Sequence, residues 1–486
     1  MEIVSKNKAV WIYFLSISFI LLNAYLITRE MYWGFLIPLA ALLLLLYVYS
    51  LDKILMLVVF LTPLAVPYRD YQFNMGASIP TEPLLAGVLV WVLLRSFYKS
   101  DFDRRILRHP MSYVIYFSLI WIGITSITSE IPMVSIKFLL SRLWFVVPMY
   151  FLMAQLFKNP KRIVQFLWLY IIPLIIVVAY TIYNHALWGF REEPGHWVMT
   201  PFYNDHTAYG AILAMYIPVV IGLFVVPGQK KAQRIVIAIA LAILLLAVFF
   251  SYTRAAWVSL VAVLGILTLV FFKIRFRTVF LTFTGLLILF FTFQTQIFMR
   301  LEKNKQDSSS NILQHVQSIS NISSDASNLE RINRWKSAMR MFRERPFFGW
   351  GPGTYQFLYA PFQNSQERTI ISTNAGDRGN AHSEYIGPLS ESGVPGLLAV
   401  LAIMIVSIYT GFKVYKRSAD RKARILAISI TLGLITYYIH GLLNNFLDTD
   451  KASVPFWGFI AVLVALDLYG VKKEAFQTDP IKESKI

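Results

Sequence analysis

Residues 230–277 read KKAQRIVIAIALAILLLAVFFSYTRAAWVSLVAVLGILTLVFFKIRFR. Two apolar runs, 235–250 and 256–272, are separated only by Ser251 to Ala255. Lys230, Lys231 and Arg234 precede them, and Lys273, Arg275 and Arg277 follow. An apolar helix of nearly 20 residues crosses ~30 Å of hydrocarbon, and within it every backbone polar group must pair inside the segment. Lys and Arg of short loops stay on the cytoplasmic side of a membrane. The stretch is thus a helical hairpin with both basic ends on one side and Arg254 in the turn on the other.

The same grammar repeats along most of the chain. Hydrophobic residues make up 57% of 486 positions, with 37 Phe, 26 Tyr and 12 Trp. Fourteen spans are expected: 9–28, 33–50, 54–66, 83–98, 111–128, 138–157, 163–183, 207–226, 235–250, 256–272, 278–298, 393–412, 425–446 and 455–470. The shortest, 54–66, carries Pro63, so the fold class is all-α and polytopic with about 12–14 membrane helices. The run from Ala9 lacks a small-residue cleavage site and leads straight into another span, so it reads as a retained helix. With no cysteine, disulfides and thiol nucleophiles are excluded.

Alternate connections are basic: Lys99 to Arg108; Lys158 to Arg162; Lys230 to Arg234; Lys273 to Arg277; Lys413 to Arg424; and Lys472 with Lys473. The intervening short loops hold only Arg29, Arg69, Arg191, Arg254 and Lys451, with Lys137 at a span edge. Both termini are therefore expected in the cytoplasm, and a polar island of residues 299–392 outside it, as one large periplasmic loop. The net charge of +18 is then a topology signal and an attraction to anionic membrane lipids, with no nucleic-acid partner. Four parts follow: N-terminal helices 1–190, core helices 191–298, the external loop 299–392, and C-terminal helices with a tail, 393–486.

Among the external loops, Ser129 to Ile136 and Asp448 to Val454 read as connectors, whereas 184–206 is rich in Trp, His and charge. The large loop opens with a Ser/Asn-rich stretch, Gln306 to Asn328. From Leu329 to Arg345, Ile332, Trp335, Met339 and Phe342 fall at helical spacing with Arg331, Arg334 and Arg345 around them, and Pro346 ends the run. This is an amphipathic helix lying on the membrane or on the spans. Gly349-Trp350-Gly351-Pro352-Gly353 then permits close approach of the backbone to a neighbour, and the loop closes on Ala381-His382-Ser383-Glu384-Tyr385.

Arg254 sits between two apolar spans, where a charge needs an anion, a partner or a wet cavity; snorkelling to headgroups is the competing reading. His382 titrates near neutrality and can serve as a general base, or can be a polar surface residue. Arg191 most simply pairs with Glu192 and Glu193. Arg142 and His440 lie within spans: the first can line an anion path with Arg254, and the second reads as a packing histidine. No H-E-x-x-H, paired-Asp or Gly-Lys-Ser/Thr motif occurs, so neither a metal nor a nucleotide cofactor is expected.

The order Ser251-x-x-Arg254, then Arg334-Trp335, then Gly349-x-Gly351-x-Gly353, then His382 with Gly393-x-x-Gly396 entering the next span, resembles the O-antigen ligase and polymerase superfamily over roughly residues 190–450. Where that family often has an Asn-Pro-Asn-like element, this chain has Tyr203-Asn204-Asp205-His206.

The resemblance implies a C-class glycosyltransferase in the bacterial cytoplasmic membrane, acting on its outer face in surface-polysaccharide synthesis without a metal and with inversion. Its donor would be a polyprenyl-pyrophosphate-linked glycan, and its acceptor a hydroxyl of a glycan, of lipid A core or of another molecule. Arg254 and His382 would be catalytic, the first stabilising the pyrophosphate and the second taking the acceptor proton. Arg191, Arg331, Arg334 and Arg142 would bind substrate. Ligase and polymerase share these motifs. A flippase for the same lipid-linked sugars is the other alternative; it would spread charge through broken helices near the midplane, whereas this chain gathers its polar residues outside, with only Arg142, His440 and a few others inside.

Overall fold

The computed structural model describes residues 6–70, 75–96, 102–274, 326–369, 372 and 379–470. Its longer helices are α1 (Lys6–Thr28), α2 (Ile37–Tyr49), α3 (Leu51–Leu61), α4 (Thr81–Ser96), α5 (Pro110–Ile127), α6 (Pro132–Val146), α7 (Pro160–Leu187), α8 (His206–Val225), α9 (Lys231–Phe250), α10 (Arg254–Phe271), α11 (Ala326–Glu344), α12 (Ile386–Arg417), α13 (Arg421–His440) and α14 (Asp450–Tyr469). The protein is an all-α polytopic membrane protein, with eleven helical segments among the described residues long and apolar enough to span a bilayer.

Eleven of the fourteen expected spans correspond to these segments. The expected spans 54–66 and 83–98 are α3 and α4, of 11 and 16 residues. The first of them still runs between the two ends of the bundle. Asp52, at the start of α3, pairs with Arg162 at 2.8 Å, while Ala65, beyond its end, accepts a bond from Lys451 Nζ at 2.6 Å. The expected span 278–298 lies outside the described residues, as does most of the Ser/Asn-rich stretch.

The sequence reading missed one element, a hairpin in which β1 (Val66–Asp70) pairs antiparallel with β2 (Met75–Ile79), Val66 opposite Ile79. Five-residue strands with Pro67 in one and Gly76 in the other carry too little alternation to register as strands.

Helices α8, α13 and α14 form the centre: 78%, 78% and 83% of their most apolar stretches is buried, against 11% and 6% for the first two spans. Lipid gives apolar helices little reason to associate, so close backbone approach through small residues must supply the packing. A Cβ on Gly433 of α13 would lie 2.5 Å from the Met215 carbonyl oxygen of α8.

The external loop builds a second, smaller core from Ala338, Met341, Tyr355, Tyr359 and Ala381. Here the helix expected at 329–345 is present as α11, and the face it buries within the loop is largely polar. Glu330, Asn333, Arg334, Ser337, Ala338 and Met341 are buried, whereas Met339 is exposed. Polar groups can turn inward because they are satisfied. Arg334 Nε donates to Glu330 at 2.8 Å, Asn333 Nδ2 to Gln363 Oε1 at 3.0 Å, and Tyr355 Oη to the Arg334 carbonyl at 2.8 Å.

The neighbour approached by the Gly-rich segment is a kink in α12, where Gly393 has φ 67°. Trp350 and Gly351 donate backbone bonds to the carbonyls of Ser390 and Glu391 at 3.2 and 2.8 Å, and Val394 donates to Pro346 at 2.9 Å. Gly349, with φ 68°, lies against the Glu391 carbonyl, and any side chain there would overlap it.

The loop Ser129 to Ile136 is more than a connector: Glu130 donates its N–H to the Trp350 carbonyl at 3.0 Å and its carboxylate pairs with Arg345 at 2.8 Å. Asp448 likewise leaves the connector class, because it pairs with Arg142 at 3.0 Å.

Candidate active site

Four segments meet at one end of the bundle. Asp205 ends the loop before α8 and caps that helix, accepting from the N–H groups of Thr207 and Ala208, each at 2.8 Å. The turn Ser251 to Thr253 is fastened to it, since Thr253 Oγ1 donates to the His206 carbonyl at 2.8 Å and Gly210 leaves room for the Thr253 side chain. Tyr252 Oη donates to the Phe190 carbonyl at 3.0 Å, which ties in the loop 189–196. Arg254, half-buried, begins α10 from this turn. The charges of both Arg254 and Arg331 bear on the His206 ring, so the inter-helix turn and the external helix address one place.

His382 enters from the fourth segment in a left-handed conformation, φ 47°, uncommon for a residue with a Cβ and typical of tightly held sites. The Asn380 side chain accepts the His382 N–H at 3.0 Å, and Arg334 donates to the Asn380 carbonyl at 3.2 Å. Beyond it, Glu384 donates its N–H to the Gly441 carbonyl at 2.8 Å. Its carboxylate accepts from Tyr437 Oη and from the N–H groups of Phe446 and Leu447 at 2.6, 2.8 and 2.9 Å. The histidine is thus clamped from both sides of the chain.

Burial pushes the His382 imidazole down to about 4, and Arg334 and Arg331 push it further in that direction, against Asp205 and Glu330. The ring is neutral at neutral pH and able to accept a proton. Burial raises the Glu330 carboxyl, but donors from Ser372, Arg334 and Thr369 outweigh this and hold it below the usual carboxylate range.

The structure sorts the expected residues into groups. The charges of Arg254 and Arg331 both bear on His206, and those of Arg331 and Asp205 bear on His382. Arg334 is beside them but is spent on Glu330 and Asn380, with its guanidinium 5.6 Å from the Tyr359 ring centre. Arg191 is exposed and makes no ion pair with Glu192 or Glu193 among the described residues; its carbonyl lies 2.7 Å from His185 Nε2. Arg142 does not join Arg254. It pairs with Asp448, donates to the Leu447 carbonyl at 3.1 Å and lines a separate cavity. His440 is buried with Nε2 3.2 Å from Asn444 Nδ2.

Asp205, Glu330 and Asn380 were missed as site residues. Asp205 before Thr207-Ala208 carries a helix-start signal and Glu330 stands four before Arg334, but neither pattern says what the residue faces.

Residues 239–401 match the Wzy_C family model, described as O-antigen ligase. This match covers about a third of the chain and supports the resemblance to the O-antigen ligase and polymerase superfamily. No curated protein matches the chain. The Wzy_C match takes in Arg254, Arg331, Arg334, His382 and the interlocked glycines, and leaves Arg142, Arg191, Asp205 and His206 outside it.

Proposed function

We propose that this Wzy_C protein is a glycosyltransferase of the ligase type, moving a glycan from a polyprenyl-pyrophosphate carrier to an acceptor hydroxyl on the outer face of the bacterial cytoplasmic membrane. The observation that carries the reading is that the charges of two arginines from different segments, Arg254 and Arg331, bear on His206 at the bundle end, and that of Arg331 also bears on the clamped His382. A pyrophosphate leaving group gathers negative charge as its glycosidic bond breaks. Guanidinium forks on that charge lower the barrier without needing a metal.

In the reaction, an imidazole nitrogen of His382 takes the acceptor O–H proton while the oxygen forms a bond to the anomeric carbon. The bond from that carbon to the pyrophosphate oxygen breaks, its electron pair leaves with the carrier, and attack opposite the leaving group inverts the centre. Polyprenyl pyrophosphate departs and the imidazolium returns its proton to solvent.

The test is transfer by purified protein in liposomes, with a polyprenyl-pyrophosphate oligosaccharide and separate candidate acceptors in metal-free buffer. Glycan appearing on a second acceptor supports the ligase, and longer lipid-linked chains would make it a polymerase. Labelled lipid crossing the bilayer with no new glycosidic bond would replace the enzyme by a transporter. Arg254→Ala should lose about 10²–10³ of the rate, with Arg254→Lys recovering part of it; full activity in the alanine variant removes Arg254 from the reaction.

A further inference from the structure

The basic end of the bundle has two unlike sides. On one side, carboxylates engage the cations: Asp52 pairs with Arg162 at 2.8 Å, Asp103 with Arg105 and Lys158 at 2.9 Å, and Asp467 with Lys413 at 2.6 Å. On the other side, the segments 226–234 and 416–424 carry three and five Lys or Arg against a single carboxylate, Asp420. That carboxylate caps α13, accepting the Lys422 N–H at 2.9 Å. Among the described residues none of these cations makes an ion pair, although the Arg424 guanidinium lies 5.4 Å from the Tyr415 ring centre.

Packing brings the two segments together. Helices α8 and α13 lie so close that a Cβ on Gly222 of α8 would overlap the Ser429 side chain of α13. One on Gly228, in the turn beyond α8, would lie 3.9 Å from Lys422 Nζ. Gln229 donates to the Leu223 carbonyl and holds this turn back on α8. The Lys422 ammonium thus stands beside the turn from which Lys230 and Lys231 follow, and all three residues are exposed. Like charges gathered in this way repel one another, and an anion among them relieves the repulsion.

Next to the cations the surface is apolar and open. Phe224 and Val225, at the end of α8, are 40% and 49% exposed, and Ile235, Val236 and Ile239 of α9 are exposed as well. A ligand that meets both surfaces is amphipathic, with phosphate for the cations and hydrocarbon for the helix faces. A soluble phosphate satisfies only the first. The cations come from two segments, Lys230 with Lys231 and Arg421 with Lys422, which suits a headgroup with two phosphates.

We propose that the junction of α8, α9 and α13 at the basic end binds an anionic phospholipid with two phosphates, of the diphosphatidylglycerol class. Helices α8 and α13 carry His206 and His440 at their other ends, so this lipid braces the scaffold of the candidate site from the opposite face of the membrane. Its binding does not depend on the reaction proposed above.

The test uses the full chain, delipidated in detergent, with native mass spectrometry against tetraoleoyl diphosphatidylglycerol and dioleoyl phosphatidylglycerol. The first should bind about tenfold more tightly than the second and raise the melting temperature. Each cation near a membrane anion is worth about fivefold in affinity. Lys230→Gln with Lys422→Gln should therefore lose about 25-fold. Arg104→Gln with Arg108→Gln, exposed residues beside Asp103, removes the same charge on the other side and should leave the affinity within about twofold. Equal affinity for the two lipids, or equal loss in the two variants, would make the attraction a property of net charge and overturn the site.

A second measurement alters no charge. In this cysteine-free chain, Ala232→Cys places a thiol on the exposed first turn of α9. Tetraoleoyl diphosphatidylglycerol should slow its modification by a maleimide several-fold, and phosphatidylglycerol should not. Unchanged rates would put the lipid elsewhere and refute the assignment.

Discussion

His382 combines a left-handed backbone, φ 47°, with an imidazole driven down to about 4 by burial and by Arg334 and Arg331. A base acts only when unprotonated, so activity is lost as pH falls through its pKa. For the free enzyme, kcat/KM should hold from pH 7 to 5 and halve near pH 4, where an ordinary histidine would already be half lost near pH 6.5. Bound pyrophosphate favours the imidazolium, so the acid limb of kcat should lie at higher pH than that of kcat/KM. His382→Ala should lose about 10²–10⁴ of the rate and flatten both limbs. A pH profile identical in wild type and His382→Ala would assign the proton transfer to another group.

At the scale of the element, α11 shows how a polar face can be the structural one. Arg334 is 7% exposed and Glu330 4%, and their ion pair holds the Asn380 carbonyl from which His382 follows. Removing one partner leaves a buried charge uncompensated, at a cost of about 3–5 kcal/mol. Arg334→Ala should therefore melt well below wild type in detergent, and the double change Glu330→Met with Arg334→Met should recover much of the loss. Normal melting with abolished transfer would make Arg334 a substrate contact in place of a brace.

The sequence reading of this helix found its span, its arginines and its apolar stripe, Ile332, Trp335, Met339 and Phe342, as a side for the membrane or the spans, but not the polar face that packs within the loop. Periodicity reports where apolar residues lie, and it is silent about a polar face that Gln363, Ser372 and Tyr355 satisfy from elsewhere in the chain. The glycines were legible as points of close approach, but their partner, the kinked backbone at Glu391 to Gly393, was not. Long-range pairing of this kind leaves no local pattern. Arg142 was misplaced for the same reason, because its partner Asp448 is about three hundred positions away in sequence.

Across the whole molecule, helix directions put the candidate site and the basic loops at opposite ends. The site end gathers Asp205, the turn before Arg254, His382 and the loop after His440, joined by the Thr253 to His206 and Glu384 to Gly441 bonds. The other end gathers the connections read as cytoplasmic. There Lys158 and Arg105 both pair with Asp103 at 2.9 Å, Tyr469 donates to Asp103 at 2.7 Å, and Gly228 faces Lys422. Charge counting and three-dimensional packing thus divide the loops the same way, and the positive-inside rule predicts that the basic end faces the cytoplasm. The absence of cysteine makes this directly measurable. Gln366→Cys, exposed on the external loop, and Ala419→Cys, exposed between α12 and α13, place single thiols at the two ends. In cells whose outer membrane has been made permeable, a membrane-impermeant maleimide should label Gln366→Cys at once and Ala419→Cys only after the cytoplasmic membrane is breached. The reverse order would put the arginine and histidine centre in the cytoplasm, where a transferase would draw on soluble activated sugars, and the lipid-linked donor would lose its main support.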